Sequence, residues 1–185
     1  CFHGISGEKV YDFDNDKEVS ILWDNQFIGN YTKDNFSPKH LYSSTIGDEL
    51  KIASQGRSDV YAIAPNPEAA ILSAGHAANG AFWIDNLNGK WATTTYYKGV
   101  PWYVDRYNNG PESLSARLES MVWTPSLPTN QYTAFPYLLD ELPFKHTFQE
   151  RDLYCYPNLK TSPFVNAEIT RLAKQFLHYG AFGTR

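Results

Sequence analysis

The residues whose types and spacing could do chemistry begin with an alternating acidic run near the start of the chain. Asp12, Asp14 and Asp16 alternate as in the first half of an EF-hand calcium loop. Lys17 stands where that loop needs a glycine, and Trp23 stands where it needs a bidentate glutamate. The run therefore predicts a solvent-exposed acidic turn and no calcium site.

The histidines and the serines near them form no catalytic or metal-binding motif. None of the 5 histidines has a second ligand at the spacing of a zinc site. Ser6 and Ser73 are near a histidine only along the sequence, which does not give triad geometry. A Gly-x-Ser-x-Gly elbow, a phosphate-binding loop and a dinucleotide fingerprint are absent. Spacing alone therefore predicts no catalytic residue and no metal ligand. For His76 it favours a residue held by a backbone hydrogen bond over a catalytic one.

Composition indicates a folded domain and excludes two classes of partner. The 185 residues are 42% hydrophobic and 19% charged, which is typical of globular proteins. The net charge is −4, with 16 basic residues scattered among 20 acidic ones, and this argues against binding a nucleic-acid duplex. No apolar run approaches the ~20 residues that span a bilayer, so no membrane span is predicted.

Helices and strands must position any site, and the first clear helix starts near residue 45. Thr45 and Asp48 form a capping box, which predicts a helix start. The apolar residues that follow, Ile46, Leu50 and Ala53, share one side of that helix. We expect this side to face a core.

The next segments complete an α/β pattern. Apolar and β-branched residues predict a short buried strand over 59–64. A second helix follows, which Asn66 can cap, Pro67 can open and Gly75 can end. Helix, strand and helix in this order are typical of a parallel α/β layer.

The second half of the chain combines a hairpin, an irregular range and a helix. The turn at Asn88 and Gly89 lies between two aromatic and β-branched strands and predicts a β-hairpin. The range 123–157 is rich in proline and aromatic residues and has no steady period. A last helix is expected to start after Ser162 and to run to about Tyr179, with Leu172, Phe176 and Leu177 on its apolar face.

Three colinear stretches of the sequence carry a family resemblance. They are His3-Gly4-Ile5-Ser6-Gly7, Ala69-Ala70-Ile71-Leu72-Ser73-Ala74-Gly75-His76 continued by Gly80-Ala81-Phe82-Trp83-Ile84-Asp85, and Thr161-Ser162-Pro163-Phe164-Val165-Asn166. Together they resemble the phosphate-irrepressible alkaline phosphatases and the related type I phosphodiesterase/nucleotide pyrophosphatases of the alkaline phosphatase superfamily. The resemblance extends over nearly the whole chain.

The resemblance implies an α/β fold, with part of an alkaline-phosphatase-like core and a capping insert. That insert would contain the β-hairpin and long aromatic-rich loops. Residues 1–185 would then be one domain, an internal fragment of a larger hydrolase. The cap is expected at about 81–160, and the core-like elements at about 41–80 and 161–180.

The family's chemistry uses groups that the resemblance places outside this chain. A threonine or serine nucleophile precedes the first stretch and attacks phosphorus, while two zinc ions stabilise the charges. We therefore expect an inactive chain without zinc ligands, and two zinc ions in the full-length parent. The expected partners are a small-molecule phosphoester and the remainder of the parent chain. A periplasmic or exported location is expected, because family members act outside the cytoplasm.

Three departures from the family pattern predict the substrate class. Family phosphomonoesterases hold phosphate oxygens with an asparagine after the first stretch and with a Lys-x-Arg pair before the second. Here the corresponding positions are Glu8, and Asn66 with Glu68. Carboxylates repel a dianionic phosphate, so these three residues predict a preference for diesters or for substrates with a cationic or hydroxyl-rich group. The alternative is that the glutamates point to solvent.

A second class of function remains open from the sequence. Aromatic residues make up 16% of the chain and could line a carbohydrate- or ligand-binding surface of a non-catalytic module. Five rings are candidates for that surface: Trp83, Trp91, Tyr96, Tyr97 and Trp102. The oligomeric state and a pairing of Cys1 with Cys155 are also left open.

Overall fold

The computed structural model describes residues 2–13, 15–128, 131, 146–148 and 153–180. Its α-helices are α1 (Ile46–Ala53), α2 (Pro67–Ala74), α3 (Trp102–Asn109), α4 (Leu114–Arg117), α5 (Cys155–Lys160) and α6 (Phe164–Tyr179). Its strands are β1 (Lys9–Asp12), β2 (Lys17–Ser20), β3 (Gly29–Asn30), β4 (Tyr61–Ile63), β5 (Gly80–Ile84), β6 (Trp91–Thr94), β7 (Val122–Trp123) and β8 (His146–Thr147). Asp14, Cys1 and most of the irregular range 123–157 lie outside the described residues.

A four-stranded sheet in the order β3-β6-β5-β4 organises the described part of the chain. β4 and β5 run parallel and are connected by α2, which confirms the predicted α/β layer. β5 and β6 form the predicted antiparallel hairpin, with Trp83 beside Ala92. β1 and β2 pair separately around the acidic turn. β4 lies in the range predicted as core-like and β5 in the range predicted as cap, so one sheet connects the two ranges.

Two clusters of buried side chains cover the two faces of β5. Phe82 and Ile84 belong to a cluster that includes residues of α3 and α6, whereas Ala81 and Trp83 belong to a cluster that includes residues of α2. Successive side chains of a strand point to opposite faces, which explains this division. The fold therefore buries β5 completely and builds helices against both of its faces.

α1 starts at the predicted capping box, but the prediction that its apolar side faces a core is wrong. Thr45 and Asp48 make both bonds of the box. Ile46 is nevertheless 89% exposed and Leu50 is 50% exposed. The buried side of α1 carries Gly47 and Asp48 instead. Gly47 allows this approach, because a Cβ there would lie 2.8 Å from a methyl carbon of Val60.

Two smaller predictions about burial are also wrong. The strand over 59–64 was expected to be buried, but β4 is half-buried because it is an edge strand of the sheet. α6 buries Leu172 and Phe176 as expected, yet Leu177 is 68% exposed. No helix among the described residues is long and apolar enough to cross a membrane.

Candidate functional site

A cavity of about 360 Å³ beside the start of α2 brings together the three residues that the sequence singled out. Glu8, Asn66 and Glu68 all line it. The other lining residues are mainly apolar: Ile5, Gly7, Ile21, Ala69 and Leu72. The cavity therefore combines three polar side chains with an aliphatic wall. Proteins commonly bind small molecules in cavities of this kind.

Two chain segments position these polar groups. Glu8 lies just before β1, and its carbonyl oxygen accepts a bond of 2.9 Å from the amide of Ile21. Asn66 occupies the N-cap of α2, but its side chain makes no capping hydrogen bond, contrary to the expectation from the sequence. Glu68 lies in the first turn of the same helix, where the helix dipole favours a negative charge. The side-chain amide of Asn66 therefore does not cap the helix.

The position of the cavity in the sheet follows the rule for ligand sites in α/β proteins. Asn66 and Glu68 come after the carboxyl end of β4, and Asp85 comes after the carboxyl end of the parallel strand β5. Ligands of open α/β sheets bind at this edge, because the loops that leave parallel strands meet there. The edge thus carries several acidic groups close to one another.

Lys160 of α5 brings a positive charge to this edge. Its ammonium group donates a bond of 2.6 Å to Oδ1 of Asn86. Burial lowers the pKa of Lys160 to about 8, although the carboxylates of Asp85, Glu68 and Asp34 act in the opposite direction. No lysine, arginine or histidine of the described chain lines the cavity itself. Within the cavity, the formal charges are therefore those of its two glutamates.

His76 is held through its backbone, as predicted, and it lies outside the cavity. Its amide donates a bond of 2.9 Å to Oδ1 of Asp48, and Ala77 donates another of 2.7 Å. Burial tends to raise the pKa of Asp48, but these bonds and those from Thr45 outweigh it and lower the pKa. Nδ1 of His76 lies 3.5 Å from Oδ2 of the same carboxylate. Asp48 thus ties the start of α1 to the loop after α2.

A second carboxylate, Glu168, was not singled out by the sequence. It is 1% exposed and pairs with Arg117. Its Oε1 also accepts bonds of 3.1 Å from the Trp91 indole and 2.8 Å from the Tyr107 hydroxyl. Burial, and to a smaller extent the negative charge of Glu168, raise the pKa of Tyr107. The sequence could have indicated this role, because Glu168 lies one helical turn before Leu172, on the buried side of α6.

The described residues do not fit a zinc centre. Among them, no group of three or more histidine, cysteine, aspartate or glutamate side chains comes together in a way that could hold a metal ion. Zinc sites in proteins need three or four such ligands.

Three of the five rings proposed for a ligand-binding aromatic surface are buried and cannot contribute to it. Trp83, Trp91 and Tyr97 are 1%, 0% and 2% exposed, respectively, because they belong to the two cores. Tyr96 is half-buried, and Trp102 is 60% exposed on α3. The rings that could stack on a sugar are thus reduced to two.

Comparisons with known proteins agree with this fold. No protein-family model matches the chain. The chain is 38% identical over 136 residues to the alkaline phosphatase PafA of Elizabethkingia meningoseptica and 29% identical over 163 residues to the alkaline phosphatase PhoV of Synechococcus elongatus. It is also 35% identical over 122 residues to a protein named calcium-transporting ATPase in Myroides odoratus. The crystal structure of wild-type PafA superposes with a TM-score of 0.63 and covers 71% of this chain.

An α/β protein with a cavity at the carboxyl edge of its parallel strands is thus the class that the structure defines. The chain belongs to the alkaline phosphatase superfamily. It spans only 24% of PafA and 29% of PhoV, while those matches cover 71% and 86% of the chain itself. The roles of Glu8, Asn66 and Glu68 are tested by none of these matches and stay predictions.

Proposed function

We propose that this chain is part of a phosphoester hydrolase and that the cavity beside α2 contacts its substrate. The main support is the meeting of Glu8, Asn66 and Glu68 in one cavity, although Glu8 and Glu68 are far apart in sequence. The cavity lies at the edge of the sheet where α/β proteins bind ligands. Membership of the alkaline phosphatase superfamily supplies the reaction class.

The charge of the cavity supports a phosphodiester as the substrate. A phosphate monoester carries up to two negative charges and a diester carries one, so two nearby carboxylates penalise the monoester more. Arginine and lysine are the side chains that bind a dianionic phosphate well. Positions 66 and 68 carry an amide and a carboxylate instead. We therefore propose a phosphodiesterase or nucleotide pyrophosphatase type of activity.

Catalysis in this proposal depends on two zinc ions and a nucleophile that other residues of a longer parent protein supply. Bound zinc would polarise the phosphoryl oxygens and stabilise the attacking and leaving groups. The part played by this chain is to contact and select the substrate. We propose that the 185 residues alone hydrolyse nothing and bind no zinc tightly, and that the parent is periplasmic or exported. Isothermal titration that found a tight stoichiometric zinc site in the 185-residue chain would contradict this.

Kinetics on the full-length protein test the substrate class directly. We expect kcat/KM for bis-(p-nitrophenyl) phosphate to exceed that for p-nitrophenyl phosphate. The decisive variant restores the monoesterase pattern through Glu8→Asn, Asn66→Lys and Glu68→Arg. It should raise the monoester-to-diester ratio of kcat/KM by about tenfold or more, because each exchanged charge favours the dianion.

The matched control exchanges charges elsewhere on the surface. Glu18→Asn, Asn15→Lys and Glu112→Arg change exposed residues outside the cavity by the same amounts. This control should leave the ratio unchanged. A wild-type enzyme that turns over the monoester well above the diester would overturn the proposed substrate class, and so would a restored variant with the wild-type ratio.

A cationic or hydroxyl-rich substrate group is a second candidate, which the aliphatic wall of the cavity favours. Glu8 and Glu68 can accept hydrogen bonds or face a cation, while Ile5, Ile21 and Leu72 offer apolar contact. A diester with a quaternary ammonium group and its uncharged alkyl isostere separate this candidate from a plain diesterase. Equal kcat/KM values for the two compounds would exclude cation recognition.

A further inference from the structure

A polar groove beside α6 lies on the opposite side of the sheet from the cavity beside α2. Residues of α6 and residues of α2 belong to the clusters that cover opposite faces of β5. The groove has a volume of about 560 Å³, against about 360 Å³ for the cavity. Sites for small molecules have volumes in this range. We call it the α6 groove, because α6 contributes its main polar lining: Asn166, Thr170, Arg171, Lys174 and Gln175.

Two cationic side chains of the α6 groove have no partner among the described residues. Arg171 and Lys174 are both exposed and make no hydrogen bond or ion pair there. They are three positions apart, so they lie on the same side of the helix. The glutamate of this helix, Glu168, is buried and pairs with Arg117 instead. Glu112 is the one carboxylate in the described lining, so the groove carries two positive charges and one negative charge.

The dipole of α6 does not account for this pair of cations. Cations are stabilised near the C-terminus of a helix, but the effect falls off within the last turn. α6 ends at Tyr179, so Lys174 lies more than one turn and Arg171 about two turns before its end. A guanidinium and an ammonium in one groove therefore favour an anionic ligand as their common partner.

One wall of the α6 groove is fixed by hydrogen bonds, and two of its amide groups are available to a ligand. Tyr107 lines the groove, and its hydroxyl donates a bond of 2.8 Å to Oε1 of Glu168 and accepts one of 3.1 Å from Arg117. The side-chain amides of Asn166 and Gln175 make no hydrogen bond among the described residues. Each amide can therefore both donate to a ligand and accept from it.

We propose that the α6 groove binds a small sugar phosphate, held as a phosphate monoester. The planar guanidinium of Arg171 binds two phosphate oxygens, and the ammonium of Lys174 adds a point charge. The amides of Asn166 and Gln175 bond to sugar hydroxyls, which a free phosphate ion lacks. The volume of the groove also suits a ligand larger than a single ion. This binding site goes beyond the proposed function and does not depend on it.

Isothermal titration of the 185-residue chain with glucose 6-phosphate tests the proposed site. We expect one molecule to bind per chain with a Kd below about 1 mM, and glucose itself to bind at least about tenfold more weakly. Inorganic phosphate should also bind more weakly than glucose 6-phosphate, because it has no hydroxyls for the two amides. Added salt should weaken the binding, because it screens the two exposed cations.

Variants at exposed positions connect the binding to the two cations. Arg171→Gln with Lys174→Gln removes both charges and should lower the affinity for glucose 6-phosphate about tenfold or more. The matched control, Lys33→Gln with Arg57→Gln, removes two exposed charges outside the groove and should stay within about twofold of wild type. Arg171→Lys keeps the charge but loses the bond to two oxygens, so it should lower the affinity about threefold or more. Equal Tm values for all variants confirm that they are folded.

Each other outcome overturns the proposal. No detectable binding of glucose 6-phosphate would remove the site. Equal affinity for glucose would make it a site for neutral sugars, and equal affinity for inorganic phosphate would make it a site for a free ion only. Unchanged affinity in the double variant would place the ligand elsewhere. The protein encoded by the complete reading frame is titrated with the non-hydrolysable phosphonate analogue. If its affinity is the same with and without the double substitution, residues outside this chain occupy the groove.

Discussion

Two glutamates on different helices of the fold, Glu168 on α6 and Glu68 on α2, have opposite environments. Glu168 of α6 is buried and bonded to Arg117, Trp91 and Tyr107. Glu68 of α2 is half-buried, lines a cavity and makes no hydrogen bond among the described residues. A buried charge is tolerated only when it is paired and hydrogen-bonded, and Glu168 meets this condition.

The difference separates carboxylates that hold the fold together from carboxylates that remain available to a ligand. Removing Glu168 takes away the carboxylate that balances the buried charge of Arg117 and accepts from the Trp91 indole, whereas removing Glu68 takes away no hydrogen bond among the described residues. Stability should therefore depend on the first region, and substrate preference on the second. Four experiments on the 185-residue chain can break or sharpen this distinction.

Glu168→Ala is expected to have the largest effect. It should lower the free energy of unfolding by about 3–5 kcal/mol, because breaking a buried ion pair strands the remaining charge. Urea denaturation followed by tryptophan fluorescence measures the change. Glu112→Ala, at an exposed glutamate, is the control and should cost less than ~0.5 kcal/mol. A loss below ~1 kcal/mol for Glu168→Ala would contradict the structural role.

Gly75→Ala tests the second well-paired carboxylate, Asp48. Gly75 has a φ of 73°, and a Cβ there would lie 2.2 Å from Oδ2 of Asp48. We expect a loss of at least about 2 kcal/mol, because both the backbone and the carboxylate must shift. Gly56→Ala is the matched control, since Gly56 also has a positive φ of 78° but no atom within 4 Å. It should cost only about 1 kcal/mol, and equal losses would show that Asp48 moves freely.

Lys160 predicts a smaller, pH-dependent effect near the cavity. Its pKa is about 8 in the fold against an ordinary 10.5, so the unfolded chain binds more protons at this lysine between those values. Stability should therefore rise with pH over the range 8 to about 9.5, by less than ~1 kcal/mol once solvent screening is allowed for. Lys160→Met should remove the rise, and Lys174→Met should keep it. A rise that persists in Lys160→Met would assign it to another group.

Glu68→Gln should have the smallest effect on stability. The free energy of unfolding should stay within ~0.5 kcal/mol of wild type, because the side chain makes no hydrogen bond among the described residues and its attraction to Lys160 is screened by solvent. Chemical denaturation at pH 7 is the measurement. A loss comparable to that of Glu168→Ala would place Glu68 in the structural class and weaken the substrate proposal.

Most local structure could be predicted from the sequence, because each signal lies within a few neighbouring residues. The capping box of Thr45 and Asp48, the helix between Pro67 and Gly75 and the hairpin around Gly89 all occur where their motifs indicated. The three candidate site residues, Glu8, Asn66 and Glu68, were identified through the resemblance to a family, which gives their positions in the sequence only. The meeting of those positions in one cavity came from the fold.

Predictions about burial failed where a choice between two sides of an element had to be made. Periodicity correctly grouped Ile46 with Leu50, but it did not say whether their side would meet other chain. β4 was predicted as buried from its apolar residues, yet it is half-buried, because among the described residues β5 is its one partner strand.

The sequence by itself determined α1, α2, α6 and the β5–β6 hairpin, since capping, turn and periodicity signals act over a few residues. It did not indicate α5, which begins in the range predicted as irregular. Only the tertiary structure decided which groups face one another. Arg117 and Trp91 lie 51 and 77 positions from Glu168 in the chain, and no local pattern relates them. The physical reason is that a buried charge must find its partners in space, and the packing of α3, α4, β6 and α6 brings them together.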